Sequence, residues 1–329
     1  MLQDAPAPNA ARRVLIVVAG SINYYYDTIG YRLAEAFHNL GSVVDVCTLK
    51  TYQPAEYDLT LYVNLYEVAV AYCKGQPDLV EAIRLIKAMK ARTTQIGVVL
   101  LECVQTNWFA ETYRLCEQTG IQALYDLGFH SQYPYMQPAM REGYHFFFNG
   151  LTQSERRKVL RWRNTHQERP IPWAFIGHLE KRRMLFAHRL IKRCGANGIL
   201  YLPHLTHITE EGPHINGEQL QKILERTRYY IWVSHHDYFY VESERFRNAL
   251  MAGSVPIKVQ DHEPTDESAR LPFTYLMLNE TDFDEQLRAF DYADVRDRFI
   301  RDYLTLPSLE AGVARTILQM PHHATADHA

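Results

Sequence analysis

Ser243 and Arg245 stand two residues apart near the start of the stretch Tyr240 to Ile257, YVESERFRNALMAGSVPI. A hydroxyl at a helix mouth, first-turn backbone N–H groups and a guanidinium beside them suit an anion, and a phosphate above all. An arginine in a first turn opposes the helix dipole, so its presence there calls for a negative partner. At helical spacing Arg245, Asn248 or Ala249, and Ala252 share one face, while Phe246 and Leu250 share another that suits a core. The plain structural alternative is an N-cap at Ser243 and a surface charge at Arg245.

Such a site needs strands around it. Tyr229 to Val233 is a short apolar run, the polar break Ser234-His235-His236-Asp237 follows it, and Gly253 stops the helix before a second strand at Val255 to Val259. In a doubly wound sheet this order puts a loop and a helix N-terminus at the carboxyl edge of the strands, where such folds bind ligands. The same alternation runs through the chain. Val14–Ala19, Val43–Cys47, Asp58–Val63, Ile96–Leu101 and Ala123–Asp126 read as buried strands, with helices ending at Asn39 and spanning Pro77–Ala91 and Trp108–Thr119. Asn149–Thr152 and the charged helix after it, broken by Pro170 and Pro172, read as a hinge. Beyond it come strand Trp173–Gly177, helix Lys181–Cys194, strand Gly198–Leu202, helix Gly217–Thr227, the opening segment, a last strand at Phe273–Leu278 and helices from Phe283 to Met320. The expected class is α/β, with two Rossmann-like domains facing a cleft. Residues 1–12 read as a disordered leader, 13–150 as the first domain, 151–172 as a linker, 173–320 as the second domain and 321–329 as a tail.

At 329 residues with 47% apolar content the chain can fill two cores, and a net charge of −3 argues against a general nucleic-acid or membrane-surface binder. Basic residues cluster only locally, at Arg156-Arg157-Lys158 and Lys181-Arg182-Arg183. Five scattered cysteines without a C-x-x-C pair are the usage of a reduced compartment, no apolar core precedes the first arginines, and no run is long enough to span a membrane. A cytoplasmic protein without a transmembrane segment is expected. Gly20-Ser21-Ile22-Asn23 is not G-x-G-x-x-G, so no dinucleotide site is expected. His204 and His207 have no evident third ligand, so no metal site is expected either.

FRNALMAGSVPI resembles the helix–glycine–strand element of α1,3-fucosyltransferases, and Ser243-x-Arg245 with AG-x-x-P-I resembles exostosin-like and spore-coat-type transferases. Together they resemble the donor-site signature of GT-B glycosyltransferases. The resemblance implies a nucleotide-sugar donor held mainly by the second domain, a carbohydrate or glycan acceptor against the first, and no required metal or other cofactor. It implies donor contacts from Gly177, Arg182, His235, Tyr240, Glu242, Ser243, Arg245 and Asn248. A glycine followed by a basic residue, here Gly177 and then Lys181-Arg182-Arg183, would bring a cation to the diphosphate leaving group. Arg182 is expected to point inward before Arg183. Where fucosyltransferases carry Thr-Glu-Lys this chain has Glu242-Ser243-Glu244, and Asn248 stands where many GT-B enzymes have a ribose-binding glutamate.

On the acceptor side an inverting transfer needs a base for the acceptor hydroxyl. Glu102, just after Ile96–Leu101, is the candidate, with Asp27 and Glu67 behind it. Asn23, Tyr24 and Tyr25 in the first strand-to-helix loop offer polar groups and flat faces to a sugar ring, unless they pack beneath the loop. Two rival readings keep the fold: a nucleotide-sugar epimerase, and a non-catalytic nucleotide- or glycan-binding protein.

Overall fold

Apolar runs become strands buried on both faces, as a parallel sheet under two helix layers requires. The computed structural model describes residues 12–20, 24–74, 78–163, 168–203, 215–234, 240–260 and 271–319. The chain divides into two compact units: one takes residues up to Leu127, Gln132–Phe147 and the chain from Ser308, the other Gly128–Ser131 and Phe148–Pro307.

The first unit holds strands β1 (Arg13–Val17), β2 (Val43–Cys47), β3 (Tyr57–Val63), β4 (Thr93–Leu100), β5 (Ala123–Asp126) and β6 (Tyr144–Phe146). They form a parallel sheet in the order β2-β1-β3-β4-β5-β6. Helices α1 (Tyr24–Asn39), α2 (Leu65–Tyr72), α3 (Val80–Lys90), α4 (Asn107–Thr119) and α5 (Pro138–Arg141) connect them. Val14, Ile16, Ile29, Leu33, Phe37, Leu61 and Val99 form the centre of its core.

The second unit starts with α6 (Gln153–Trp162), which a Thr152–Glu155 capping box opens. Strands β7 (Ile171–Ile176), β8 (Ile199–Tyr201), β9 (Thr227–Val233), β10 (Val255–Gln260) and β11 (Met277–Asn279) form a parallel sheet ordered β11-β10-β9-β7-β8. Helices α7 (Lys181–Cys194), α8 (Gly217–Glu225), α9 (Ser243–Ala252), α10 (Phe283–Ala289) and α11 (Tyr292–Leu304) accompany them. Aromatic rings fill the space under α9: Phe246 meets Trp232, Phe129, Phe273 and Phe299 with centroids 5.1 to 6.5 Å apart.

Several expectations need correction. The apolar helix α2 lies between β3 and α3, where no separate helix was expected, and α3 begins three residues after Pro77. Pro172 lies inside β7 and does not end a helix. Phe273 belongs to the aromatic core, stacked on Tyr303, so the last strand shrinks to Met277–Asn279. Helix α6 sits within the second unit, not in a linker, because Arg247 of α9 pairs with its Glu155 at 2.7 Å. Helix α12 (Leu309–Val313), expected in the second domain, belongs with the first unit, where Leu309 and Val313 join the core. The expected leader and tail lie outside the described residues except for Arg12.

Candidate functional site

Four charged side chains meet at the carboxyl edge of the second sheet. Lys258 of β10 is buried and donates to Glu242 Oε2 at 2.9 Å. Trp232 Nε1, from β9, donates to the same oxygen at 2.6 Å. Arg245 Nε lies 3.4 Å from Glu242 Oε1, and Arg183 of α7 approaches that oxygen at 3.9 Å. Among the described residues the cluster therefore holds three cations and one carboxylate. Burial pushes the Glu242 carboxyl up, but Lys258, Arg245 and Arg183 outweigh it and hold the group well below the usual carboxylate range. Burial and the neighbouring Arg245 pull Arg183 down to about 10.

Local folding explains this convergence. The β9–α9 connection ends with Glu242 in a left-handed conformation (φ 35°), unusual for a residue with a side chain and typical of functional turns. That turn aims the carboxylate back over Trp232 and Lys258, which are register partners on adjacent parallel strands and so share one face of the sheet. Arg245 extends from the first turn of α9, donates to the Ile176 carbonyl at 2.9 Å and to Tyr230 Oη, and lies over the Tyr230 and Trp232 rings. Its side chain keeps 19% exposure while Arg183 and Lys258 are buried, so Arg245 is the solvent-facing member of the three. At Gly177 a Cβ would stand 3.0 Å from an Arg183 nitrogen and 3.6 Å from one of Arg245, so the absence of a side chain there lets the β7–α7 turn lie against both guanidinium groups.

Of the three basic residues opening α7, Arg183 points inward and Arg182 is half-exposed, the reverse of expectation. Arg183 shares its helix face with Phe186, Ala187 and Leu190, all buried, and that spacing of three, four and seven already marks it as a core-facing position. Arg183 also pairs with His178 Nδ1 at 2.9 Å and donates to the Val233 carbonyl. Lys258 was missed altogether, although a lone lysine in the apolar run Val255–Val259 is a signal, since a buried ammonium needs a partner.

The other sequence candidates scatter around this centre. Ser243 is the first residue of α9, not its N-cap; it is buried, and its hydroxyl accepts from Asn149 Nδ2 at 3.2 Å. Asn248 is half-buried and its Oδ1 accepts from Arg247 at 3.1 Å. Tyr240 packs edge-on to His130, a buried imidazole that burial, with Lys258 nearby, pushes down to about 4. His235 and Asn23 lie outside the described residues, as do His204 and His207 and the side chain of Tyr24.

In the first unit Glu102 and Tyr25 come together. The Glu102 carboxylate accepts from Tyr25 Oη at 3.2 Å and from Tyr26 Oη. Burial, then the Glu102 charge, raises both phenols well above their ordinary range, so they remain hydrogen-bond donors. The Glu102 carbonyl and the Val104 N–H are both held by the Gln132 amide, which Asp126 anchors at 2.9 Å. Asp27 instead accepts from the Gly20 N–H at 3.1 Å, and Glu67 is buried in the first turn of α2.

Among solved structures, an α-glucosyltransferase in complex with UDP and a 13-mer DNA containing a HMU base superposes on this chain with a TM-score of 0.57 at 11% identity. The match covers 93% of this chain and 98% of that one, so it runs through both sheets. The chain has the GT-B glycosyltransferase fold. Two further GT-B structures align less closely: an α1,3-fucosyltransferase at TM-score 0.45 and 10% identity, over 92% of this chain and 84% of that one, and an α1,3-fucosyltransferase with GDP-fucose at 0.42 and 9%, over 95% and 87%. No protein-family model matches the chain, and the search of curated proteins finds no match. Within this GT-B fold the Glu242 cluster occupies the strand edge at which open α/β sheets take ligands.

Proposed function

We propose that the protein is a glycosyltransferase that takes a nucleotide-sugar donor at the Glu242 cluster and passes the sugar to a hydroxyl of a carbohydrate or glycan. The observation that carries this reading is the convergence of Arg183, Arg245 and Lys258 on one carboxylate, beside Gly177 and the first turn of α9. A nucleoside diphosphate leaves with negative charge growing on its terminal phosphate oxygen, and preorganised cations at that point stabilise the transition state. Arg245, partly exposed and locked by Glu242, Tyr230 and the Ile176 carbonyl, contacts the diphosphate, while Arg183 and Lys258 supply field from behind. Their charge does the work a divalent ion would otherwise do. Glu102, oriented by Tyr25 and Tyr26, accepts the proton of the attacking hydroxyl. The donor is a hexosyl or deoxyhexosyl nucleotide. The glucosyltransferase of similar fold was solved with DNA, but the net charge of −3 of this chain supports a carbohydrate acceptor over a polyanion.

A thermal-shift series with UDP, GDP, ADP, CMP and their sugars tests the donor half, because a ligand that binds only the folded state raises its melting temperature. At least one nucleotide is expected to stabilise the parent and not the Arg245→Ala variant, which keeps its fold. Equal shifts in both proteins would remove the donor from this cluster. Product analysis with donor alone separates transfer from epimerisation, and tight binding without turnover on any acceptor would favour the non-catalytic reading.

A further inference from the structure

Glu102 lies two residues past Leu100, the last residue of β4, in a stretch that is neither helix nor strand. A base must stand within hydrogen-bond reach of the hydroxyl it deprotonates, and a displacement of about 1 Å can cost roughly a hundredfold in rate. Whatever fixes this carboxylate therefore bears on the chemistry. Its side-chain end is set by the Tyr25 and Tyr26 hydroxyls. Its backbone end is set by Gln132.

The bonding pattern there continues the sheet. Leu100 of β4 pairs in register with Asp126 of β5, and the next N–H, of Leu127, donates to the Leu100 carbonyl at 3.1 Å. Two residues further along, the Gln132 side-chain amide plays the same part. Its Nε2 donates to the Glu102 carbonyl at 3.2 Å and its Oε1 accepts from the Val104 N–H at 2.8 Å. Donating to one residue and accepting from the residue two further on is how a peptide group of a parallel neighbour strand bonds. One side chain thus stands in for a strand beyond the end of β5 and holds the chain on either side of Cys103 extended.

The amide is itself fixed. Asp126 Oδ2 accepts from Gln132 Nε2 at 2.9 Å and from Tyr144 Oη at 2.7 Å, and Tyr144 Oη accepts from the Gln132 N–H at 2.8 Å. The three side chains close a ring in which both amide hydrogens and the carbonyl oxygen of Gln132 have assigned partners, so the amide has one orientation. Gln132, Asp126 and Tyr144 are all buried, and all belong to the first unit. We propose that Gln132, locked by Asp126 and Tyr144, is a positioning residue for the transfer, holding the Glu102 backbone where its carboxylate can receive the acceptor proton. This rests on the reading of Glu102 as the base.

Release of free nucleotide by the full chain from UDP-, GDP-, ADP- and CMP-sugars, with methyl glycosides as acceptors, tests this. Gln132→Met has a side chain of similar length but makes neither bond to the backbone. It is expected to lower kcat on the order of 10- to 100-fold while the donor KM and the nucleotide-induced melting shift stay at parent values, because the Glu242 cluster is untouched. Tyr144→Phe removes one link of the ring and leaves the amide in place. It should lower kcat by less, and it decides the matter if Gln132→Met does not fold. In a Glu102→Gln background neither substitution should lower kcat further, since residues acting through one group are not additive. Parent kcat in both variants, or equal fold losses with and without the Glu102 carboxylate, overturns the proposal and leaves the ring a stabilising role alone. Parent kcat in Glu102→Gln by itself would instead remove Glu102 as the base, and the positioning role with it. Absence of any release by the parent would sink the transfer reading and this inference together.

Discussion

His130 illustrates what a buried residue near a cation cluster does to the chain as a whole. Its imidazole is buried against Tyr240, and burial, with Lys258 nearby, takes its pKa from 6.5 down to about 4. The folded state therefore holds it neutral, while the unfolded chain protonates it below about 6.5. Its stabilising contribution is complete above pH 6.5 and is lost as pH falls from there toward 4, by roughly 3 kcal/mol over that window. His145 shifts in the same direction through burial, whereas Glu242, held low, keeps its charge across the same range. Urea denaturation at pH 7.5 and pH 5 should show this loss in the parent and a smaller loss in His130→Asn. At the same scale, the charged residues divide by what the sequence made visible. Arg245 and Glu242 were legible from their place at a helix mouth. Arg183 was legible only from helical periodicity, and Lys258 only as an anomaly in an apolar strand.

At the scale of elements, α9 is fixed at both ends by features that differ in kind. Its start is a strained turn at Glu242 held by charge, and its end is Gly253 in the left-handed region at φ 72°. A Cβ on Gly253 would meet a nitrogen of Arg169 at 2.6 Å and the Trp162 ring at 2.9 Å, and Arg169 itself staples the Leu224, Thr227 and Ala252 carbonyls. Gly253→Ala is expected to cost about 1–3 kcal/mol from left-handed strain and overpacking combined, measured as a lower denaturation midpoint at unchanged slope. A neutral substitution would mean that Arg169 yields its place freely. The glycine stop was plain in the sequence. The arginine that closes around it was not, because Arg169 reaches across 83 residues of chain to the Ala252 carbonyl.

At the scale of the whole molecule, the chain leaves the first unit after Phe147 and returns to it at Ser308. Leu309, Val313 and Ile317, fully buried at spacings of four, complete the core around Val14, Ile16 and Leu33. Full burial of a Leu, Ile or Val side chain contributes about 1.5–3 kcal/mol, so losing these three removes roughly 5 kcal/mol, comparable to the whole stability of a small domain. A chain truncated after Pro307 should therefore lose hydrogen-exchange protection in β1, β3 and β4 while β7, β9 and β10 keep theirs. Uniform protection would show that the returning helix is dispensable. By itself the sequence determined the two runs of alternating strand and helix, the glycine stops and the donor-like segment, because local hydrophobic period and backbone freedom are written in adjacent residues. Only the tertiary structure decided that the last helix belongs to the first unit, that Arg183 and not Arg182 turns inward, and that Lys258 meets Glu242. Those outcomes depend on which buried faces and charges find one another across tens to hundreds of residues. A buried ammonium is stable only beside its carboxylate, and that pairing exists only once β9, β10 and α9 have packed.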